Sequence, residues 1–282
     1  MKFEDNRYLI KINGMQNLDK TCRIAVCVKQ VPEIGEARIN PETGTLERSG
    51  VPLTINPLDV AALQIARLIK EEVGGEMVAF SMGPISSERV LRDAIAWGCQ
   101  RGYLISDPRL AASDTYATSY ILSKTLQKFG PWDIIVFGER AIDGDTGQVG
   151  PEVAAFLNLP VFSYVTEVAV EKETFSIKRM IERGWQIIKV RPPFVLTVSR
   201  GKSVVRLPTL KDKIRAHEMP IVKLDATALG IATSRVGLEG SPTWVQKVEK
   251  VQVTRKGTVL RDQSPKTMAL AFKKFLEERG LL

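Results

Sequence analysis

One segment, residues 133–157, restricts the possible folds of this chain more than any other, and it reads DIIVFGERAIDGDTGQVGPEVAAFL. The run DIIVFG is branched and almost wholly apolar, which predicts a strand buried on both faces. The next run, ERAIDGDTGQVG, is polar and rich in glycine, so it is predicted to form a loop. The run PEVAAFL predicts a helix, with Pro151 in the first turn, where its missing N–H costs little.

The loop of this segment has the features of an anion-binding loop. A strand, a glycine-rich loop and a helix present free backbone N–H groups and the positive end of a helix dipole to a ligand. Gly144, Gly147 and Gly150 would allow positive φ and a close approach. Asp143 and Asp145 are expected to accept bonds from loop N–H groups or ribose hydroxyls.

A second interpretation of the same loop is structural. It is neither a GxGxxG nor a Walker pattern, and it could be an ordinary turn whose Asp and Thr side chains cap the next helix. The residues alone leave both interpretations open.

Strand and helix patterns alternate over about the first 160 residues, which predicts a parallel sheet covered on both faces. Helices are expected to begin after Asn56, after Ser86 or Ser87, and after Asp114, with these residues as caps. Ligands bind such sheets at the carboxyl ends of the strands, near the point where the strand order reverses. The segments expected to meet there are residues 27–30, 56–59, 82–84 and 138–150.

The pattern changes after Pro160. Three consecutive antiparallel strands are predicted at 161–170, 173–181 and 185–191, followed by a buried strand at 193–199. Leu210 stands in a basic, proline-marked segment, where it is either ordinary surface or an anchor for a partner. Residues 226–258 read as an irregular arm. An amphipathic helix follows, capped at Ser264 and Pro265, with four apolar side chains expected to face inward: Met268, Phe272, Phe275 and Leu276.

Composition narrows the functional classes. The net charge is +8, but Lys and Arg are scattered among apolar residues, which argues against nucleic-acid binding. Three cysteines without a CxxC pair and a single histidine argue against a zinc or iron–sulfur site built by this chain, and no metal ligand is expected. Unpaired cysteines suit a reducing compartment. No apolar run has spanning length and the first twenty residues carry no secretory pattern, so we predict a cytoplasmic protein without membrane insertion.

Several motifs, in order, resemble the beta (small) subunit of an electron transfer flavoprotein. They are AVCVKQVPE, INPLDVAAL, FSMGP, SDTYATSY, AIDGDTGQVGPEVAAFL and RLPTLKDKIRA, and the resemblance runs from about Cys22 to the C-terminus. It implies an α/β fold: a parallel-sheet, Rossmann-like domain that binds an adenine nucleotide, with an antiparallel hairpin insertion and a C-terminal arm plus helix. The expected organisation is an N-terminal extension at 1–20, this domain at 21–225 with a partner-recognition loop at about 203–217, and the arm and helix at 226–282, packing on the partner subunit.

The resemblance and the loop pattern together give the expected site residues. Those expected to bind the cofactor are Cys27, Lys29, Asn56, Pro57, Leu58, Asp59, Met82, Gly83, Arg140, Asp143, Gly144, Asp145, Thr146, Gly147, Gln148, Val149, Gly150 and Pro151, and the family's binding run continues to Phe156. Arg140 would place positive charge near a flavin or pyrophosphate, or is simply a surface arginine. The expected partner-binding residues are Thr209, Leu210 and Lys211, and no residue is expected to act as a nucleophile or general base.

The loop also bears on the cofactor. Family members that bifurcate electrons carry Asp-Gly-Asp-Thr-Ala-Gln-Val-Gly-Pro and bind a second FAD, and this chain reads DGDTGQVGP, with Gly147 in place of alanine. The resemblance then implies electron flow from NADH to the FAD of an alpha subunit and to ferredoxin or flavodoxin. A flavin-containing dehydrogenase or quinone oxidoreductase would be a further partner. Two alternatives stay open: an electron carrier with structural AMP in this subunit, and a stand-alone adenine-nucleotide-binding module.

Overall fold

The computed structural model describes residues 9–11, 22–33, 38–39, 46–47, 52–171, 174–201, 207–244, 257, 259, 261 and 264–282. The chain forms two compact units, Met1–Gln246 and Lys247–Leu282. The strands are β1 (Leu9–Lys11), β2 (Arg23–Cys27), β3 (Gln30–Pro32), β4 (Arg38–Ile39), β5 (Leu46–Glu47), β6 (Leu53–Ile55), β7 (Glu76–Met82), β8 (Arg101–Ile105), β9 (Ile134–Gly138), β10 (Val161–Glu171), β11 (Thr174–Ile181), β12 (Gly184–Val190), β13 (Phe194–Val198) and β14 (Ile221–Leu224). The helices are α1 (Pro57–Val73), α2 (Glu88–Ala96), α3 (Thr115–Phe129), α4 (Val149–Leu157), α5 (Leu210–Glu218) and α6 (Pro265–Glu277).

The first unit is built on one large, mostly parallel sheet, as predicted. Its strand order is β1-β12-β11-β10-β13-β9-β2-β7-β8-β14, and every neighbouring pair from β10 to β14 is parallel. The chain runs from β2 through β7 and β8 in one direction, and β9 then lies on the other side of β2. The strand order therefore reverses between β2 and β9, whose carboxyl ends are Cys27 and Gly138.

The central strands are apolar because both of their faces are covered. Along β2, Ile24 and Val26 belong to the core cluster with α1 and α2, whereas Ala25 and Cys27 belong to the cluster with α3 and α4. A strand buried on both faces needs a continuous apolar run rather than an alternating one.

The apolar run at residues 22–31 predicts a single first strand, and this prediction is wrong in one respect. The run divides into β2 and β3, and β3 pairs antiparallel with β6 in a small separate sheet. The break lies at Lys29, whose N–H donates to Asp59 Oδ2 at 2.6 Å and so leaves the ladder of the large sheet. The segment ARINPETGTLERSGVP, residues 37–52, predicts a short hairpin with PETG as its turn. It is present as the antiparallel pair β4 and β5, but the expected turn lies outside the described residues.

The helix starts were predicted with mixed success. Asp114 caps α3 by accepting the Ala117 N–H at 3.0 Å, as expected. The prediction of a Ser86 or Ser87 cap is wrong, because a short 3₁₀ turn precedes α2 and both hydroxyls donate to Gln30 Oε1 instead. Asn56 precedes α1 but makes no side-chain cap, because its amide is engaged elsewhere.

The helical spacing of five apolar residues predicts the buried face of α1: Leu58, Ala61, Ala62, Ile65 and Ile69. The structure differs slightly from this prediction. Ala61, Ala62, Ile65 and Ile69 are buried as expected, whereas Leu58 is only partly buried. Asp59 is buried beside them, although a carboxylate in the first turn of a helix usually faces solvent.

The second half of the first unit contains the predicted antiparallel strands, β10, β11 and β12. The edge strand β14 was not predicted. It pairs in parallel with β8, and Val222 and Lys223 are exposed, so the segment lacks the apolar alternation of a strand. Beyond it, Leu229, Ile231 and Val236 are buried in the α3 and α4 cluster, and the unit continues past the expected boundary at 225 to Gln246.

The second unit contains α6. Ser264 Oγ accepts the Thr267 N–H at 3.2 Å, which confirms the predicted cap. The expectation of an inward apolar face is wrong for this chain: no described residue of α6 is buried, and Phe272 and Phe275 are exposed.

Within the part of the chain that is described, no helix combines the length and the apolar character needed to span a membrane.

Candidate functional site

The loop between β9 and α4 lies at the carboxyl end of the sheet, where the strand order reverses. Direct contacts bring it together with the end of β2 and the start of α1. Lys29 Nζ contacts Asp143, and Asn56 Nδ2 contacts the Arg140 carbonyl oxygen. Three of the four segments predicted to converge are thus in contact. The fourth, residues 82–84, ends the neighbouring strand β7, and Gly83 N–H donates to the Ile105 carbonyl oxygen at 3.0 Å.

Glycine occurs at three positions of the loop for different physical reasons. Gly147 has a φ of +66°, as predicted, and an L side chain would be strained there. Gly150 does not take positive φ: a Cβ would lie 2.6 Å from Thr197 Cγ2, so glycine allows α4 to approach β13 closely. Gly144 has open space around its Cα, and the second left-handed position is Asp145, with a φ of +52°.

The loop and the start of α4 leave backbone N–H groups without acceptors. Among the described residues, none accepts a bond from the N–H groups of Gly144, Thr146, Gly147, Gln148, Val149 or Gly150. The first bonded amide of the helix is that of Glu152, which donates to the Gln148 carbonyl oxygen at 3.0 Å. Most of this loop is exposed. The N–H groups and the helix dipole together form a site suited to an anion.

The structural interpretation of this loop, a turn that caps the next helix, is wrong. Gln148 precedes α4 and makes no side-chain cap, and neither the loop aspartates nor Thr146 bonds the first turn of the helix. Gln148 is held from outside the loop, because Thr115 Oγ1 lies 3.2 Å from its Oε1.

The two loop aspartates were expected to accept bonds from loop N–H groups or ribose hydroxyls, but within the described structure they pair with basic side chains. Lys29 Nζ lies 2.8 Å from both carboxylate oxygens of Asp143. Arg140 Nε lies 2.7 Å from Asp145 Oδ1, and Arg140 also contacts Glu139. All these pairs are partly or largely exposed, so each stabilises the loop by only about 0–1 kcal/mol. A ligand could therefore separate them at low cost.

Asn56 and Asp59 form a buried polar pair beneath the loop. They are 1% and 5% exposed, and Asn56 Nδ2 donates to Asp59 Oδ1 at 2.8 Å. Burial raises the pKa of Asp59 to about 7, although the Asn56 amide and the N–H groups of Lys29 and Gly138 favour the charged carboxylate. Sequence reasoning placed both residues at the site but did not foresee that they would be buried.

The remaining predicted binding residues line the same edge. Cys27 is buried, and burial together with the nearby Asp59 carboxylate raises the pKa of its thiol above the ordinary range, so it is neutral. Met82 is partly buried against the α3 and α4 cluster. Pro57 is the first residue of α1. Pro151 is the third residue of α4, because the helix begins two residues earlier than predicted.

The predicted partner-binding residues begin α5. Thr209 and Asp212 form a capping box, with Thr209 Oγ1 accepting the Asp212 N–H at 3.2 Å. Leu210 is 75% exposed, and Leu207 and Ile214 are exposed with it. The spacing of Leu210 and Ile214 places both on one helix face, a signal that sequence reasoning missed. We call Leu207, Leu210 and Ile214 the α5 apolar surface.

The groups described at this edge are suited to binding an anion. Among the residues that the structure describes, no group of three or more His, Cys, Asp or Glu side chains could hold a metal ion. The unpartnered amides fit a phosphate group, and the open space at Gly144 leaves room for a ligand to approach the backbone.

Comparison with known proteins shows which family the chain is similar to. A family model described as "Electron transfer flavoprotein domain" matches residues 43–229. The chain is 43% identical over 237 residues to the "Electron transfer flavoprotein subunit beta" of Thermoanaerobacterium thermosaccharolyticum, covering 84% of this chain and 91% of the relative. It is 40% identical to "Protein FixA" of Sinorhizobium fredii, covering 80% and 82% of the two chains.

A third relative is named for a complex. The "Caffeyl-CoA reductase-Etf complex subunit CarD" of Acetobacterium woodii is 38% identical over 224 residues, which is 79% of this chain and 86% of the relative. The sheet with its reversed strand order and the open amides are consistent with the family that these similarities show. The chain therefore belongs to the electron transfer flavoprotein family, as a beta-subunit member whose role is electron transfer.

Proposed function

We propose that this chain is the small subunit of a heterodimer, that it binds FAD at the loop between β9 and α4, and that it takes part in electron bifurcation. Electrons would pass from NADH to the FAD of the alpha subunit and to ferredoxin or flavodoxin. The observation that supports the proposal is that the N–H groups from Gly144 to Gly150, that of Asp145 excepted, have no acceptor among the described residues, at the switch point of the sheet.

The residues of this chain would bind and position the cofactor. The open amides and the positive end of α4 would hold the diphosphate, since both favour negative charge. Lys29 and Arg140 would exchange their exposed aspartate partners for the anionic parts of the ligand. FAD, when bound, supplies the redox chemistry, because it exchanges electrons singly or in pairs.

The choice of FAD over AMP rests on the loop sequence and on space. The run DGDTGQVGP is similar to the loop of bifurcating members, and the side of Gly144 is open. A single phosphate would satisfy the same amides, so an electron carrier with structural AMP in this subunit is the second candidate. A stand-alone nucleotide-binding module is the third.

The partners follow from two surfaces. Beta subunits of this family pair with an alpha subunit, and we propose that residues 226–282, with the exposed aromatic side chains of α6, pack on it. We propose that Thr209, Leu210 and Lys211, at the start of α5 and next to the α5 apolar surface, dock a flavin-containing dehydrogenase or quinone oxidoreductase. The relative named for a caffeyl-CoA reductase complex supports a reductase as the class of partner. A cytoplasmic location remains part of the proposal.

Cofactor counting tests the proposal. The chain is co-expressed with an alpha subunit of the family, and flavin and AMP are extracted from the purified heterodimer. We expect about two FAD per heterodimer, no AMP and rapid reduction by NADH. One FAD with one AMP would overturn bifurcation in favour of the AMP carrier, and a monomer that binds ATP without flavin would favour the stand-alone module.

A matched pair of variants tests the location of the site. Gly144→Ala adds a methyl group into open space, so nucleotide affinity should change little. Gly144→Asp adds a negative charge at the same position and should weaken nucleotide binding about tenfold. Equal affinity in the two variants, measured by equilibrium titration of the nucleotide-free heterodimer, would show that the diphosphate binds elsewhere.

A further inference from the structure

The amides proposed to bind the nucleotide are useful only if the loop is held in one place, and its exposed ion pairs are too weak to do this. The buried contacts at its base are of another kind. Asn56 Nδ2 donates to the Arg140 carbonyl oxygen at 2.9 Å, and Asn56 Oδ1 accepts the Ile142 N–H at 3.3 Å. One side chain, from the residue that precedes α1, thus holds the backbone at the start of the loop.

Asn56 is itself fixed by Asp59. Asp59 Oδ1 accepts from Asn56 Nδ2, and Asp59 Oδ2 accepts from the Lys29 N–H at 2.6 Å. Lys29 is the second residue after β2. The Asn56 N–H donates to the Lys29 carbonyl oxygen at 2.9 Å. The acceptor at Asp59 Oδ1 therefore fixes the orientation of the Asn56 amide, together with the loop bonds to Arg140 and Ile142.

The end of β9 is shaped to admit this carboxylate. A Cβ on Gly138 would lie 2.3 Å from Asp59 Oδ1, so only glycine allows the close approach. The carboxylate consequently stands between the ends of β2 and β9, the two strands at which the strand order reverses.

We infer that Asn56 and Asp59 are positioning residues: Asp59 orients the Asn56 amide, and Asn56 sets the path of residues 140–142 and hence the place of the open amides. Neither side chain needs to touch the nucleotide, because both are almost fully buried. This inference rests on the proposed function only for the identity of the ligand, since the contacts exist within the chain itself.

The direct test is amide hydrogen exchange at Ile142 in the nucleotide-free full-length chain, measured residue by residue by NMR. Asn56→Ala removes the acceptor of the Ile142 N–H, and Asp59→Asn replaces the acceptor that orients Asn56. Both variants should lower the protection factor of Ile142 by about tenfold or more. Asp93→Asn is the matched control, because Asp93 is a partly buried aspartate of α2 whose pKa is also raised by burial, and it should leave Ile142 unchanged.

Affinity gives the second measurement. FAD is the probe, because its diphosphate does not titrate near neutral pH. Asn56→Ala and Asp59→Asn should each weaken FAD binding to the heterodimer about tenfold, whereas Asp93→Asn should not. In the wild type, affinity should weaken as Asp59 is protonated below pH 7, and Asp59→Asn should lack this dependence. The charged or titratable groups facing Asp59 are Lys29 and the Cys27 thiol, and burial raises the pKa of the thiol so that it is neutral over this range.

Unchanged protection of Ile142 in Asp59→Asn would overturn the inference, whatever the ligand proves to be. Loss of FAD binding in every protein tested, with the expected change at Ile142, would instead overturn the proposed function and leave the positioning role intact. If Asp59→Asn does not fold, the pH dependence of the Ile142 protection factor in the wild type decides: no decrease below pH 7 would contradict the inference.

Discussion

Two helix starts at the carboxyl edge of the same sheet differ in how their first N–H groups are bonded: a side chain caps α3, whereas none caps α4. At the start of α3, Asp114 accepts the Ala117 N–H and both the N–H and the hydroxyl of Thr243, and its own N–H donates to Ser241 Oγ. In the crevice between β2 and β9, the N-terminal amides of α4 have no acceptor among the described residues, and the nearby Asp59 is buried.

The difference indicates which helix start is structural and which is built for a ligand. At the start of α3, the Asp114 carboxylate accepts the Ala117 N–H and places a negative charge at the helix N-terminus, which disfavours a second anion there. The start of α3 thus fastens the segment 241–243 to the sheet, whereas α4 keeps its amides available. Both helices follow a parallel strand, so the distinction lies in the side chains and not in the topology.

The largest expected effect concerns the pH dependence of stability. The folded-state pKa of Asp59 is about 7, above its ordinary value of 3.8, so the native state holds this proton more tightly than the unfolded state. The contribution of Asp59 to the free energy of unfolding should therefore fall by about 4 kcal/mol as pH rises from 4 to 7, and stay level above that. Chemical denaturation at several pH values, compared with Asp59→Asn, measures this contribution, which the variant should lack.

Asp114 should contribute with the opposite sign. Its burial alone would raise its pKa, but the Ala117 N–H and the Thr243 groups outweigh burial and lower the pKa. Its contribution to stability is therefore present above its unfolded pKa and is lost as pH falls through the folded pKa. A wild-type profile in which both aspartates shift stability in the same direction would contradict the comparison.

Removal of the α3 cap is expected to have a smaller effect. Asp114→Ala should lower the free energy of unfolding by about 1–2 kcal/mol, because the Ala117 N–H loses its acceptor. Asp114→Asn keeps an acceptor and should lose less. Nucleotide affinity should be unchanged in both variants, and a loss of affinity in Asp114→Ala would show that the two regions are not independent.

The smallest expected change in stability comes from making α4 resemble α3. Gln148→Asp places a carboxylate at the positive end of the helix, which should stabilise the nucleotide-free chain by about 0.5 kcal/mol. The same charge should weaken nucleotide binding about tenfold, and Gln148→Asn should do neither. Thermal denaturation and nucleotide titration on the three proteins measure both effects. Unaltered affinity in Gln148→Asp would remove α4 from the binding site.

Local patterns allowed much of the fold to be predicted. The apolar run of β9, the glycine-rich loop and the start of α3 at Asp114 follow from residues within a few positions of one another. The strand β14 could not be predicted in this way, because Val222 and Lys223 are exposed and only pairing with β8 makes the segment a strand. The Ser86 and Ser87 hydroxyls were likewise assigned to the nearest helix, whereas Gln30, distant in sequence, accepts them.

The sequence by itself determined that a parallel sheet would carry a polar, glycine-rich loop ahead of α4, because strand burial, turn chemistry and helix initiation are properties of short segments. Only the tertiary structure decided that amides of this loop are left without acceptors among the described residues, that Asp143 pairs with Lys29, and that Asn56 and Asp59 are buried beneath the loop. The reason is physical: a hydrogen-bonding group is satisfied or desolvated by whatever neighbour the fold brings to it, and those neighbours lie tens of residues away along the chain.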